Sequence, residues 1–140
     1  MEARLFPQSE HGGFESKEDL RSWLNRGLRD RGGTYYLTRL YKVPSNSIAL
    51  FEMEGTIVGC AVVREAPREM TEEERHKVGG DWKAVMGLDP ETIWVWRSEQ
   101  DVGLKEVEIS FRPGQPMTLT ARDVLSIFRL VAERSGHRLG

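Results

Sequence analysis

The sequence of 140 residues lacks several features on which common protein classes depend. Its single cysteine, Cys60, cannot form an internal disulfide, and no group of cysteines and histidines has the spacing of a zinc site. No apolar run approaches the ~18–20 residues that a membrane-spanning helix needs, and the first residues lack the layout of a signal peptide. These absences favour a cytoplasmic protein that needs no metal and no cofactor.

Catalytic motifs are missing as well. The sequence has no Walker-type glycine loop, no G-x-G-x-x-G, no G-x-S-x-G and no H-E-x-x-H. Its three histidines, His11, His76 and His137, lie far apart in sequence, so solvated positions explain them. Cys60 lies in an apolar segment, where a small packed side chain is expected rather than a nucleophile. No catalytic residue is therefore assigned from a motif.

Charge is unevenly distributed along the chain. The formal net charge of −2 is an average over segments of opposite sign. Residues 17–42 hold seven basic and three acidic side chains, residues 43–111 hold seven and fourteen, and residues 112–140 hold five and two. A polyanionic partner is therefore compatible with the sequence, provided that its site is local to the basic parts.

Length and composition indicate one domain over residues 1–140, with residues 1–15 and 137–140 expected to be flexible. A content of 39% hydrophobic and 30% charged residues is ordinary for a globular protein. Periodicity predicts a helix over residues 17–30, ended by Gly32 and Gly33, and a last helix over residues 121–135. Residues 81–89 are predicted as a turn or short helix. Strands are predicted over residues 34–41, 48–53, 56–63, 92–98 and 104–111.

This order of elements predicts an α+β fold. Helices at the N- and C-terminal ends would flank a small mixed β-barrel of five or six strands, because closing so short a sheet removes exposed edges. The two-residue loop Glu54-Gly55 predicts a tight hairpin.

Aromatic residues on the predicted strands are the most unusual feature. A pocket with aromatic walls and a basic rim suits a base that has left its stack. Packing in a barrel core is the alternative for the same residues. The candidate base-binding residues are Tyr35, Tyr36, Trp82, Trp94 and Trp96, and the candidate phosphate-binding residues are Arg39, Lys42, Arg64 and Lys83.

The stretch SIALFEMEGTIVGCAVVREA, residues 47–66, resembles EVE and ASCH domains of the PUA-like superfamily. The match is carried by Ile57-Val58-Gly59-Cys60-Ala61 and by Val63-Arg64-Glu65-Ala66, and the later strand Ile93–Trp96 fits the same layout. The tyrosine, tryptophan and asparagine signatures of well-known EVE members have no clear counterpart here.

The resemblance implies a PUA-like barrel that binds nucleic acid, often through a modified base. It implies DNA more readily than RNA, with modified cytosine as an example, and a reader role beside a fused or associated nuclease of a modification-dependent restriction system. Two alternatives stay open. One is an ASCH-type amidohydrolase that acts on modified nucleosides through residues such as Lys42, Thr38 and Glu52, and the other is a protein-interaction module.

Overall fold

The computed structural model describes residues 2–8, 13–110 and 116–136, and within them eight strands form one mixed sheet with separate helices. The predicted α+β class is confirmed. The strands are β1 (Ala3–Gln8), β2 (Thr34–Leu37), β3 (Ile48–Met53), β4 (Thr56–Glu69), β5 (Ala84–Leu88), β6 (Trp94–Val95), β7 (Val102–Gly103) and β8 (Met117–Leu119). The α-helices are α1 (Lys17–Ser22), α2 (Leu28–Asp30), α3 (Glu72–Val78) and α4 (Ala121–Gly136), with a π-helical turn, Trp23–Gly27, between α1 and α2.

The sheet is ordered β2-β5-β4-β3-β1-β8, and β6 and β7 also pair with β4. β4 is long enough, at 14 residues, to pair with β3, β6 and β7 through its first half and with β5 through its second half. β2 and β8 end the path and do not pair with each other within the described ranges. The predicted barrel of five or six strands is therefore replaced by an open sheet of eight strands.

The N-terminal segment departs from the prediction of flexibility over residues 1–15. Ala3–Gln8 form β1, which pairs in parallel with β3 and antiparallel with β8, and Leu5 and Phe6 are fully buried. The stretch ARLFPQ gives no clear strand pattern, because it is short and contains Pro7, which cannot donate to a ladder. Residues 137–140 lie outside the described residues.

The helix predicted over residues 17–30 is confirmed, with one change of pitch inside it. The Ser16 hydroxyl accepts a hydrogen bond from the Asp19 backbone N–H at 3.1 Å and begins the helix. At the π-helical turn the Trp23 ring lies against Gly27, where a Cβ atom would come within 2.7 Å of Trp23 Cδ1. Gly27 therefore leaves the space that the indole ring occupies.

The hairpin between β3 and β4 is confirmed at the predicted loop. Glu54 and Gly55 have φ values of 54° and 79°, as a two-residue loop of type I′ requires. The Glu52 carboxylate is buried and accepts a hydrogen bond from the Gly55 backbone N–H at 2.8 Å. Burial raises the pKa of Glu52, and the Gly55 N–H opposes the rise. This carboxylate thus stabilises the turn.

The second half of the chain contains less regular strand than the sequence predicts. Residues 81–89, predicted as a turn or short helix, contain strand β5, whose run of small and apolar residues is too short for its periodicity to be decisive. Within the described part of the predicted strands, residues 92–98 and 104–110, only Trp94–Val95 is a strand, and Leu104–Val107 is a 3-10 helix. The short strand β8 was not predicted.

Two hydrophobic clusters lie on opposite faces of the sheet. Along β3, Phe51 and Met53 face one cluster while Leu50 faces the other, as strand alternation requires. The first cluster takes Leu20, Leu24 and Leu28 from the N-terminal helical segment, and the second takes residues of α4. Among the residues that the structure describes, no helix is long and apolar enough to cross a membrane.

A polar network joins the two ends of the chain beside the second cluster. The buried Arg21 of α1 pairs with the carboxylate of Asp101 and also reaches Glu18 at 3.1 Å and the Trp96 carbonyl at 3.4 Å. Arg134 of α4 donates to the Asp101 carbonyl. Burial raises the pKa of Asp101, against the opposing effect of the Arg21 cation. The network fixes α1 and α4 to the same loop.

Candidate nucleic-acid interface

The five aromatic residues predicted to bind a base do not form one pocket. Tyr35 lies in the first core cluster, Tyr36 and Trp82 meet on the surface, and Trp94 and Trp96 lie beside α4. The single aromatic pocket predicted from the sequence is therefore not formed, and its five residues lie in three separate places.

Tyr35 is a core residue and does not line a surface site. It is 7% exposed, and its ring meets Trp23, Phe6 and Phe51 with centroids 5.7–6.0 Å apart. Its hydroxyl accepts a hydrogen bond from Gln8 Nε2 at 2.5 Å. Burial raises the pKa of Tyr35 to about 12, so the phenol stays neutral at physiological pH. Strand alternation explains the difference, because Tyr35 and Tyr36 must point to opposite faces.

Trp96 is also buried. Alternation along the predicted strand puts Trp94 and Trp96 on the same face, but in the structure only Trp94 of the two is exposed. Trp96 is 1% exposed and packs edge-on against Trp94 and Phe128, with ring centroids 5.7 and 6.2 Å away. Its backbone N–H donates to the Val58 carbonyl at 2.9 Å. A base cannot reach this indole ring, and Trp96 therefore belongs to the core.

Tyr36 and Trp82 meet on the outer side of the sheet, where β2 is an edge strand. Their ring centroids are 6.2 Å apart and their planes are inclined by 36°. Both side chains are partly exposed, and the Arg31 guanidinium carbon lies 5.1 Å from the centroid of the Tyr36 ring. We refer to Tyr36, Trp82 and Arg31, together with Lys83, as the Tyr36–Trp82 surface.

Backbone pairing sets the position of this surface. Tyr36 lies opposite Val85 in the register of β2 and β5, which brings the residues just before β5 to the end of β2. The Lys83 backbone N–H donates to the Leu37 carbonyl at 2.9 Å, and the Lys83 carbonyl accepts from Met70 at the same distance. The Lys83 ammonium is exposed next to Trp82. One predicted phosphate-binding residue is thus brought to two predicted base-binding residues.

The other predicted phosphate-binding residues lie in less convergent positions. Arg39 and Lys42 are exposed in the connection between β2 and β3, and Arg39 follows Tyr36 by three residues. Arg64 is exposed on β4 with its guanidinium 4.0 Å from the Glu65 carboxylate. No contact in the described residues joins Arg64 to the Tyr36–Trp82 surface.

The basic segment 17–42 is unusual in how few of its cations are neutralised. Of its seven basic side chains, only Arg21 has a carboxylate within ion-pair distance among the described residues. In contrast, Arg68 on β4 binds both carboxylate oxygens of Glu74 at 2.8 Å and lowers the pKa of that acid to about 2. The cations without such a partner are Lys17, Arg26, Arg29, Arg31, Arg39 and Lys42.

Trp94 contributes to a second aromatic surface, on α4. It is 45% exposed, and its ring is parallel to that of Phe128 within 7°, with centroids 6.2 Å apart. Leu125, one turn earlier on α4, is 71% exposed. We refer to Trp94, Phe128 and Leu125 as the Trp94–Phe128 surface.

The residues of the predicted amidohydrolase are not assembled by any contact in the described residues. Glu52 is buried in the β3–β4 hairpin, while Thr38 and Lys42 are exposed in the preceding connection. The Lys42 carbonyl accepts a hydrogen bond from the Arg4 guanidinium at 3.3 Å, and the Glu52 carboxylate accepts one from the Gly55 N–H. Within residues 2–8, 13–110 and 116–136, no three or more histidine, cysteine or acidic side chains are grouped to hold a metal ion.

Cys60 is 7% exposed, and burial raises the pKa of its thiol from 9.0 to about 12. Because only the thiolate attacks disulfide reagents, we expect the native protein to react with a thiol-specific chromogenic disulfide only at the rate of unfolding. A Ser98→Cys variant, with its second thiol at an exposed position, should react at that thiol within the mixing time. Absorbance measured with and without denaturant checks this, and immediate reaction of native Cys60 would contradict it.

Two residues of these surfaces are not among the predicted site residues. Arg31 belongs to the basic segment and lies only five residues before Tyr36, and its guanidinium contacts that ring in the structure. Phe128 belongs to the predicted apolar stripe of the last helix, but it is partly exposed and stacks on Trp94. Trp94 and Phe128 are 34 residues apart, and no local pattern predicts that contact.

No family model and no curated protein matches the chain. Among solved structures, the protein Atu2648 from Agrobacterium tumefaciens is similar with a TM-score of 0.57 and 14% identity, covering 94% of this chain and 93% of that one. The YTH domain of the Zygosaccharomyces rouxii MRB1 protein, in complex with N6-methyladenosine RNA, has a TM-score of 0.49 and 15% identity over 93% of this chain and 86% of that one. The first likeness shows a shared fold alone, and the resemblance to EVE and ASCH domains stays a prediction.

Proposed function

We propose that this chain is a nucleic-acid-binding module that holds an unstacked base against the Tyr36–Trp82 surface. The observation that carries the proposal is the pair of partly exposed rings 6.2 Å apart with the Arg31 guanidinium over one of them. Aromatic and guanidinium planes are the groups on which proteins stack single bases. The exposed Lys83 ammonium beside Trp82 supplies a phosphate contact.

The distribution of charge supports the same proposal. A phosphate competes poorly for a cation that already has a carboxylate partner, and six of the seven cations in residues 17–42 have none among the described residues. Arg31 and Arg39 of this set flank Tyr36 in sequence, five residues before it and three after it. The acidic middle of the chain therefore does not prevent binding of a polyanion at this surface.

A modified base fits this surface because its added groups increase the apolar contact with the rings. Each buried methyl or methylene group contributes about 0.8 kcal/mol, or roughly fourfold in affinity. The proposal therefore includes recognition of a modified base, such as a modified cytosine in DNA. The proposal extends to a more specific role that the family resemblance implies, in which the chain is the reader of a modification-dependent restriction system.

Fluorescence anisotropy with labelled oligonucleotides at two salt concentrations tests the proposal. The probes are single-stranded and duplex DNA with cytosine, 5-methylcytosine or 5-hydroxymethylcytosine, and RNA with adenosine or N6-methyladenosine. We expect the Tyr36→Ala, Trp82→Ala double variant to lose about 5- to 150-fold in affinity, since stacking contributes about 1–3 kcal/mol per base. We expect Lys83→Ala to reduce the salt slope by about 0.7 for single strands.

Lys105→Ala is the matched control for Lys83→Ala. Lys105 is also an exposed lysine without a carboxylate partner among the described residues, but it lies in the 3-10 helix Leu104–Val107, away from β2 and β5. Its removal changes the net charge equally and should leave the salt slope at the wild-type value. Absence of binding to every probe at low salt, or wild-type affinity of the double variant, would refute the proposed function.

A further inference from the structure

The Trp94–Phe128 surface has the properties of a second stacking site. Nearly half of the Trp94 side chain is open to solvent while Phe128 and Trp96 hold the ring in place from the inside. A ring held in this way stacks a planar ligand at little cost in conformational entropy. The exposed part of the indole ring is therefore available to a planar ligand.

Two arginines at the end of the first helical segment make contacts at or next to the two aromatic surfaces. Arg29 Nη2 donates to the carbonyl of Ile93, the residue before Trp94, at 3.0 Å. Arg31, two residues later, lies over Tyr36. Arg29 also donates through Nε to the Asn25 carbonyl, which leaves three of its five N–H donors without a protein partner among the described residues. Arg29 is therefore a cation with free donors next to Trp94, two residues in sequence from the arginine that lies over Tyr36.

We propose that Trp94 stacks a second base, and that one single strand runs from the Trp94–Phe128 surface past Arg29 and Arg31 to the Tyr36–Trp82 surface. This inference rests on the proposed function and adds to it the form of the ligand. Bases must be unstacked to reach two separate sets of rings, so the ligand is single-stranded DNA or RNA rather than a duplex. Phosphates between the two bases are bound by the donors of Arg29.

The surroundings of Trp94 favour a polyanionic strand over a protein partner. A stable protein interface buries about 800 Å² on each partner and has few charges at its centre. Trp94 and Leu125 are the exposed large hydrophobic residues of this face within the described ranges, and the exposed Arg122 lies one turn before Leu125 on α4 without a carboxylate partner among the described residues. Arg129, on the other side of Leu125, is already paired with Glu133 at 3.1 Å. A small apolar patch next to Arg122 suits a base with its phosphates.

Oligonucleotides of different length distinguish the contributions of the two surfaces to binding. Anisotropy is measured with labelled oligouridylate and oligodeoxythymidylate of about 3 and about 12 nucleotides, because only the longer strands span separate contact points. We expect Trp94→Ala to weaken binding of the long probes about 5- to 150-fold and to leave the short probes unchanged. Trp94→Phe should restore most of the loss. Arg29→Ala should reduce the salt slope of the long probe by about 0.7, while Lys105→Ala should not.

The outcomes distinguish this inference from the proposed function. Loss of long-probe affinity in Trp94→Ala together with loss for both probes in the Tyr36→Ala, Trp82→Ala variant supports a two-surface track. Unchanged long-probe affinity in Trp94→Ala, with the double variant still impaired, overturns the track and leaves the function standing. If the wild type binds neither probe, the track is refuted, and the proposed function is decided by the modified-base probes described above. If Trp94→Ala instead changes self-association in sedimentation and leaves probe affinity unchanged, the surface serves a second copy and the inference is wrong.

Discussion

Replacing Gly33 with alanine is expected to lower the free energy of unfolding by about 2–5 kcal/mol. Gly33 has a φ of 85°, and a Cβ atom there would lie 1.8 Å from the Leu88 carbonyl oxygen. The left-handed conformation costs a residue with a Cβ atom about 1–2 kcal/mol. The overlap adds about 1–3 kcal/mol or more, because a backbone atom must move rather than a side chain. The Leu88 N–H, which donates to the Gly33 carbonyl at 2.8 Å, would lose its alignment.

Gly32 provides the matched control for this prediction. It has a φ of 70°, but nothing lies within 4 Å of the place where its Cβ atom would be. Gly32→Ala should therefore cost only the conformational term of about 1–2 kcal/mol. Urea denaturation of both variants measures the difference, and equal losses would show that the approach of Leu88 to Gly33 is not as close as described.

Replacing Arg21 with alanine is expected to cost about 3–5 kcal/mol, a large part of the stability of an ordinary domain. Arg21 is 8% exposed and is the cation that pairs with the partly buried carboxylate of Asp101. Removing it leaves that carboxylate without its ion-pair partner and the Trp96 carbonyl without the Arg21 donor. Arg26→Ala, an exposed arginine of the same helical segment, should change stability by no more than about 0.5 kcal/mol.

The loss caused by Arg21→Ala should become smaller as the pH falls. Burial already raises the pKa of Asp101, and loss of the Arg21 cation removes an effect that lowers it. In the folded variant, Asp101 therefore binds a proton at a pH where Asp101 of the unfolded chain, with a pKa of about 3.9, is still ionised. The variant therefore gains stability relative to the wild type on acidification. Urea denaturation from neutral to mildly acidic pH measures the gap, and a gap that widens would contradict this account.

The sequence predicts the parts of this fold that rest on local chemistry. The helix beginning at Lys17, the loop Glu54-Gly55 and the helix beginning at Ala121 follow from capping residues, glycine positions and apolar spacing. What it does not predict are β1, β5, β7 and β8, each six residues or shorter. Their strand character comes from hydrogen bonds to strands that are remote in sequence, which no local pattern records.

The candidate site was predicted in composition but not in arrangement. Tyr36, Trp82 and Lys83 come together because β2 pairs with β5, and residues 81–89 were not predicted as a strand. Tyr35 was included because aromatic residues on a strand look alike in sequence, although alternation requires that it face away from Tyr36. Trp96 was misplaced because the strand that contains Trp94 ends after Val95, so that the expected alternation does not continue.

The parallel pairing of β1 with β3 and its antiparallel pairing with β8 have a consequence for how the chain folds. Ala3 lies beside Ile48 on one side and beside Leu119 on the other, so both edges of β1 are satisfied by residues made much later in synthesis. Contacts of such sequence separation slow folding, because a long loop must close before they form. A nascent chain that has not yet released residues 117–119 from the ribosome therefore carries β1 with an unpaired edge, open to pairing with another chain.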